Sequence, residues 1–157
     1  MDFTLVVRLD RTASDLIALA DRVTRQLEKA LTTGDDAFLD AIALNLQGFY
    51  TGAEQAFEAI AIHLDGGVPQ GPHWHRDLLV QMSCAIEGVR PAVIGAATVQ
   101  AIDRYRRFRH VVRNVYSVNL EADQVRVLAE EMPRTCACLR DDLRSFVAFL
   151  RRLDDVD

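Results

Sequence analysis

DDAFLDAIALNLQGFYTGAEQAFEAIAIHLDGG, residues 35–67, is the stretch whose reading decides the fold. Ile42, Leu46, Phe49, Ala53, Phe57, Ile60 and Leu64 recur every three or four residues. That period places them on one side of a single long helix, because each residue of an α-helix advances about 100°. Asp35 and Asp36 form a suitable N-terminal cap pair, since short side-chain oxygens accept hydrogen bonds from the open amides of the first turn. Asp65, Gly66 and Gly67 close the helix.

The same period extends to both sides. Upstream, Leu16, Leu19, Ala20, Val23 and Leu27 form a stripe on a helix predicted from Ser14, as N-cap, to Leu31, with Gly34 as its terminator. Whether residues 3–9 extend that helix backwards is left open by the pattern. Downstream, GGVPQGPHW, residues 66–74, reads as a loop, and a short helix is predicted from Trp74 to about Cys84. Pro91 suits the first position of a fourth helix, whose apolar side is Ile94, Ala97, Ala101, Tyr105, Phe108, Val112 and Val115. Ser117 to Leu120 breaks the pattern, and a fifth helix is predicted from near Glu121 to about Leu153, kinked or interrupted at Pro133. Strand-like alternation is rare. The expectation is an all-α fold, an antiparallel helical bundle of four long helices and one short one, as a single domain over residues 1–157.

Composition is that of an ordinary globular domain: half the 157 residues are hydrophobic and 26% are charged. No apolar run approaches the roughly 20 residues that span a bilayer. The N-terminal stretch lacks the features of a secretion signal, so a cytoplasmic location and no membrane contact are expected. Cys84, Cys136 and Cys138 have no disulfide or zinc spacing. Buried, inert thiols are the simpler reading, and no metal or cofactor is expected. A net charge of −5 argues against general nucleic-acid affinity. The charge is uneven, however: Arg104, Arg106, Arg107, Arg109 and Arg113 fall within ten residues.

Those arginines belong to RYRRFRHVVRNVY, residues 104–116. On a helical wheel Arg109, Arg113 and Tyr116 share one flank of the apolar side, and His110 and Asn114 stack one turn apart further round. From the residues alone this is either a solvated cationic face at a helix C-terminus or an anion site for RNA phosphates built on Arg106, Arg109 and Arg113.

The spacing of Arg109, Asn114 and Tyr116 resembles the R-x4-H-x-Y signature of HepT-type toxins of the HEPN superfamily, with asparagine in the histidine's place. FRHVVRNVY, residues 108–116, is similar to the F-R-H-x-x-R-H-x-Y form of one HepT-like subfamily. NLQGFYTGAEQAF, residues 45–57, resembles that subfamily's F-Y-N-G-L-E stretch, and VPQGPHWHRDLL, residues 68–79, its P-x-G-x-x-W-H-x-x-L-L stretch. Arg90-Pro91 sits where the subfamily often carries that pair.

The resemblance implies a metal-independent endoribonuclease acting as a homodimer, in which the RNA 2′-hydroxyl attacks the adjacent phosphate. It implies an MNT-type nucleotidyltransferase antitoxin as partner, with Tyr116 as the tyrosine that receives adenylate. Arg109 would bind the phosphate, and Arg113 and Arg106 would assist. Asn114 is the departure, because an amide cannot act as general acid or base. The asparagine marks an inactivated form or a non-catalytic member, or else His110 takes the proton-transfer role from one turn earlier. Arg109 and Asn114 lie about 140° apart on an ideal helix, an offset that a site shared across a two-fold axis would reconcile.

Four further residues carry expectations. Tyr50 and Glu54, one turn apart, are within reach of this site from the second helix. Trp74 reads as a core anchor and His75 as a structural hydrogen-bonding residue.

Overall fold

The computed structural model describes residues 3–114 and 121–154, with side chains over 3–112 and 121–153. Five helices account for nearly all of it: α1 (Phe3–Thr33), α2 (Ala37–Leu64), α3 (Trp74–Ser83), α4 (Ala96–Asn114) and α5 (Ala122–Asp154). No strand occurs among the described residues, where the one extended pairing is an isolated bridge between Ile86 and Arg90. The all-α bundle of four long helices and one short helix is the observed architecture.

Polar contacts fix the directions. Gln26 of α1 accepts a hydrogen bond from Asn45 of α2 at 2.8 Å, and Asp10 of α1 pairs with Arg151 of α5 at 2.5 Å, so both neighbours run antiparallel to α1. Thr98 meets Asp142 and Tyr105 meets Leu128, which sets α4 antiparallel to α5. The core runs the length of the bundle, from Leu9, Val23, Ile42 and Leu46 to Met132, Leu139 and Leu143, all essentially inaccessible. Every residue of the predicted α2 stripe except the partly buried Leu64 lies in it.

Several helix ends differ from their predicted places. Ser14 is not a cap: it lies inside α1, which begins at Phe3, and its hydroxyl donates to the Asp10 carbonyl at 3.0 Å. Gly34 does terminate α1, with φ +67° and its amide bonded to the Ala30 carbonyl. Asp36 occupies the N-cap of α2, yet the carboxylate that accepts from the first-turn amide of Ala37 belongs to Asp35. α5 continues through Pro133 as one helix.

Pro91 does not start α4. Residues 84–95 instead form a tight turn with Gly88 at φ +74°, drawn onto the end of α3. Arg90 is the cause. Its side chain is fully buried and uses every N–H it has: Nε and Nη2 clasp the two Asp65 oxygens at 2.6 Å each. Nη1 donates to the carbonyls of Cys84 and Pro91, and Nη2 also donates to that of Gln81. The clasp supplies donors to the carbonyls of Cys84 and Pro91 beyond α3 and a second donor to that of Gln81, which also accepts from the Cys84 amide. α4 then begins at Ala96, where the Asp142 carboxylate of α5 accepts from the Gly95 amide at 3.0 Å and the Thr98 hydroxyl at 2.6 Å.

Candidate functional site

Phe49 and Tyr105 pack edge to face in the core, with ring centroids 4.9 Å apart, and this contact sets α4 against α2. One turn beyond it on each helix, Glu54 and Arg109 face one another. Both follow the apolar stripe of their helix so closely that they are carried inward: the Glu54 side chain is 6% exposed and that of Arg109 17%. A carboxylate in such a place must be paired, and Glu54 has three partners. Arg109 Nη1 donates to Oε1 at 3.0 Å. The Tyr50 hydroxyl donates to Oε2 at 2.6 Å, and the His75 Nδ1 lies 2.5 Å from the same oxygen.

The cluster therefore joins three helices, with Tyr50 and Glu54 from α2, His75 from α3 and Arg109 from α4. The Arg109 guanidinium also lies over the Tyr50 ring, 5.3 Å from its centroid. His75 is stacked on Trp74 at 3.7 Å, so the imidazole plane is held from one face while Glu54 holds its edge. Trp74 itself is partly buried against the core. Burial and the adjoining Glu54 carboxylate raise the Tyr50 phenol far above its ordinary range, and Arg106 and Arg109 offset only part of this. Tyr50 thus stays protonated and serves Glu54 as a donor.

The arginine row is less cationic than its sequence. Arg104 pairs with Glu131 of α5, and Arg106 and Arg107 pair with Asp103 at 2.7 and 3.0 Å. With Glu54 on Arg109, each described arginine of the row has a carboxylate. The row also divides by direction. Arg109 lies over Tyr50, whereas Arg104 and Arg107 line clefts that α4 forms with α5 and with α3.

Of the residues singled out from sequence, Arg109 is brought to this cluster, Arg106 is paired with Asp103 instead, and His110 is exposed on α4. Tyr116 and the side chains of Arg113 and Asn114 lie outside the described residues. Tyr50 and Glu54 do meet Arg109, and both are buried. His75 makes the hydrogen bond expected of it, and that bond is to the carboxylate that holds Arg109. Among the described residues no three histidine, cysteine or acidic side chains are grouped as metal ligands would be.

What the arrangement can do follows from the donors it leaves over. Arginine carries five N–H groups, and Glu54 takes one Nη1 donor from Arg109. The remaining guanidinium edge can clamp an anionic oxygen in a charge-assisted pair. The family model described as HepT-like protein matches residues 41–150, more than two thirds of the chain. The chain belongs to the HepT-like family. The match spans α2 to most of α5, so the HepT-like region contains all four residues of the cluster. No curated protein and no solved structure matches the chain.

Proposed function

We propose that this HepT-like chain is the ribonuclease toxin of a toxin–antitoxin pair, cutting RNA without a metal through attack of a 2′-hydroxyl on the adjacent phosphate. The observation that carries the reading is Arg109, held by buried Glu54 at 3.0 Å with donors to spare, at the position of the motif arginine. A preorganised guanidinium is suited to the charge that gathers on a phosphorane-like transition state, because it needs no rearrangement as that charge develops. Arg106 and Arg113, on the same helix, would add positive potential.

The reading includes a homodimer, with the ends of two α4 helices near the two-fold axis, and an MNT-type nucleotidyltransferase antitoxin that places adenylate on Tyr116. Phosphate on that tyrosine would compete with RNA for the neighbouring arginines. Asn114 favours a second reading, a helical dimer that binds partners without cutting RNA.

Incubation of RNA with the chain and with Asn114→His separates the two. Cleavage by either leaving 2′,3′-cyclic phosphate ends supports the ribonuclease, and silence from both leaves the binding protein. Sedimentation of only a 17.6 kDa species at micromolar concentration would exclude the dimer. For the modification, adenylate mass on the chain but not on Tyr116→Phe, in the presence of the partner enzyme and ATP, is the expected result.

A further inference from the structure

We infer that His75 is the base of this cleavage, poised by Glu54 to take the proton from the attacking 2′-hydroxyl. The inference rests on the ribonuclease reading above and supplies what Asn114 cannot. Four polar side chains meet at the cluster, and three are unsuited to proton exchange with a substrate. Arg109 does not deprotonate in proteins. The Tyr50 phenol is buried and bound to Glu54. Glu54 is itself buried, with both oxygens already accepting from donors.

His75 differs in exposure, since its side chain keeps 34% of its surface. Glu54 as a carboxylate only accepts, so Nδ1 of His75 carries the proton of their 2.5 Å contact. In the neutral imidazole this leaves Nε2 as the bare, basic nitrogen, and the carboxylate behind the ring stabilises the imidazolium once Nε2 is protonated. The 3.7 Å stack on Trp74 fixes the ring plane, so Nε2 has one direction. Histidine held in one tautomer by a buried carboxylate is an arrangement that serves general-base chemistry on unrelated folds. Here the second oxygen of the same carboxylate holds Arg109. A group for the phosphate and a group for the proton thus hang on the two ends of Glu54, one on α4 and one on α3.

With RNA in place, Nε2 of His75 takes the 2′-hydroxyl proton as the O2′–P bond forms. The P–O5′ bond breaks, and the departing 5′-oxygen takes a proton from water. The imidazolium then releases its proton to solvent, and the products are a 2′,3′-cyclic phosphate and a 5′-hydroxyl end.

The test compares cleavage of a single-stranded RNA oligomer by the native chain and by His75→Asn. The asparagine amide nitrogen sits where Nδ1 was and can still bond Glu54, but it exchanges no proton. Cleavage should fall roughly 10²–10⁴-fold in His75→Asn, the usual worth of a positioned base. The melting temperature should hold, showing that the loss is not one of folding. Should His75→Asn not fold, His75→Gln, which keeps an amide near the Nε2 position, is read in the same way. A His75 variant cleaving within about threefold of native overturns the role of His75 and leaves the ribonuclease standing, since the loss of a true base is far larger. So does an inactive native chain whose Asn114→His form cuts RNA. Silence from the native chain and from Asn114→His overturns both.

Discussion

Arg90→Met is the substitution with the most predictable cost. Methionine keeps most of the aliphatic volume and removes the guanidinium, so the loss is electrostatic rather than a cavity. It leaves the Asp65 carboxylate, 2% exposed, with Gln81 Nε2 at 2.6 Å in place of two arginine bonds of the same length. The carbonyls of Cys84 and Pro91 lose the donors that Arg90 gives them, as does that of Gln81. Removing one partner of a buried ion pair costs about 3–5 kcal/mol, because the other charge stays desolvated. For a domain of this size each kcal/mol lowers the melting temperature by about 2–4 °C, so a fall of roughly 6–20 °C is expected. Urea unfolding followed by far-UV circular dichroism, at one protein concentration, measures the free energy directly. The double substitution Asp65→Leu with Arg90→Met removes both charges and should be less destabilised than Arg90→Met alone. A cost below about 1 kcal/mol for Arg90→Met, or a double variant less stable than the single, would refute the reasoning, because either would place the pair in the surface class.

Three other outcomes follow from the same structure. Asp142→Ala removes the acceptor for Gly95 and Thr98 and should cost about 1 kcal/mol in urea unfolding, the usual value of a helix cap, with fraying at the start of α4 seen in amide exchange. Thiol labelling of the native chain should mark exposed Cys84 first and buried Cys136 only on unfolding, so that equal rates would contradict the burial. Burial pushes the Cys136 thiol up to about 12 and keeps the Tyr50 and Tyr105 phenols protonated well beyond their usual range. The native state therefore holds protons that the unfolded chain releases, and stability should fall as pH rises above about 9. Cys136 accounts for on the order of 1 kcal/mol at pH 10, and Cys136→Ala should flatten the decline between pH 9 and 10.

The long helices were legible because their apolar period repeats over many turns and needs no distant residue to be understood. α2 is the clearest case, from its Asp35–Asp36 start to its Asp65-Gly66-Gly67 end. The ends that were misread depend on contacts that spacing does not carry. Ser14 looks like a cap, but in a helix its hydroxyl can fold back to the carbonyl four residues earlier, and Thr12 does the same onto Arg8. The Pro91 signal was overruled by Arg90 reaching Asp65, 25 residues away, and α4 was started by Asp142, beyond its own far end. At the site, Arg109 was legible from its motif, and Tyr50 and Glu54 from their single-turn spacing. The burial of Glu54 was not, because it requires donors from three helices at once. His75 gave no local sign beyond a histidine after a tryptophan at the first turn of α3.

The pairing of Arg104, Arg106, Arg107 and Arg109 with carboxylates bears on how the chain would meet a polyanion. Binding to nucleic acid usually draws its strength from condensed counterions set free when bare cations meet phosphates, and it weakens steeply with added salt. Here each of these arginines already has an internal anion, and the whole chain carries −5. A phosphate arriving at the remaining edge of Arg109 meets a guanidinium already partly neutralised by Glu54 instead of an open cation, so little entropy of released ions is available. Bulk RNA should therefore adhere weakly, with a shallow dependence on ionic strength. Discrimination would then fall to the shape of the few nucleotides that reach the cluster.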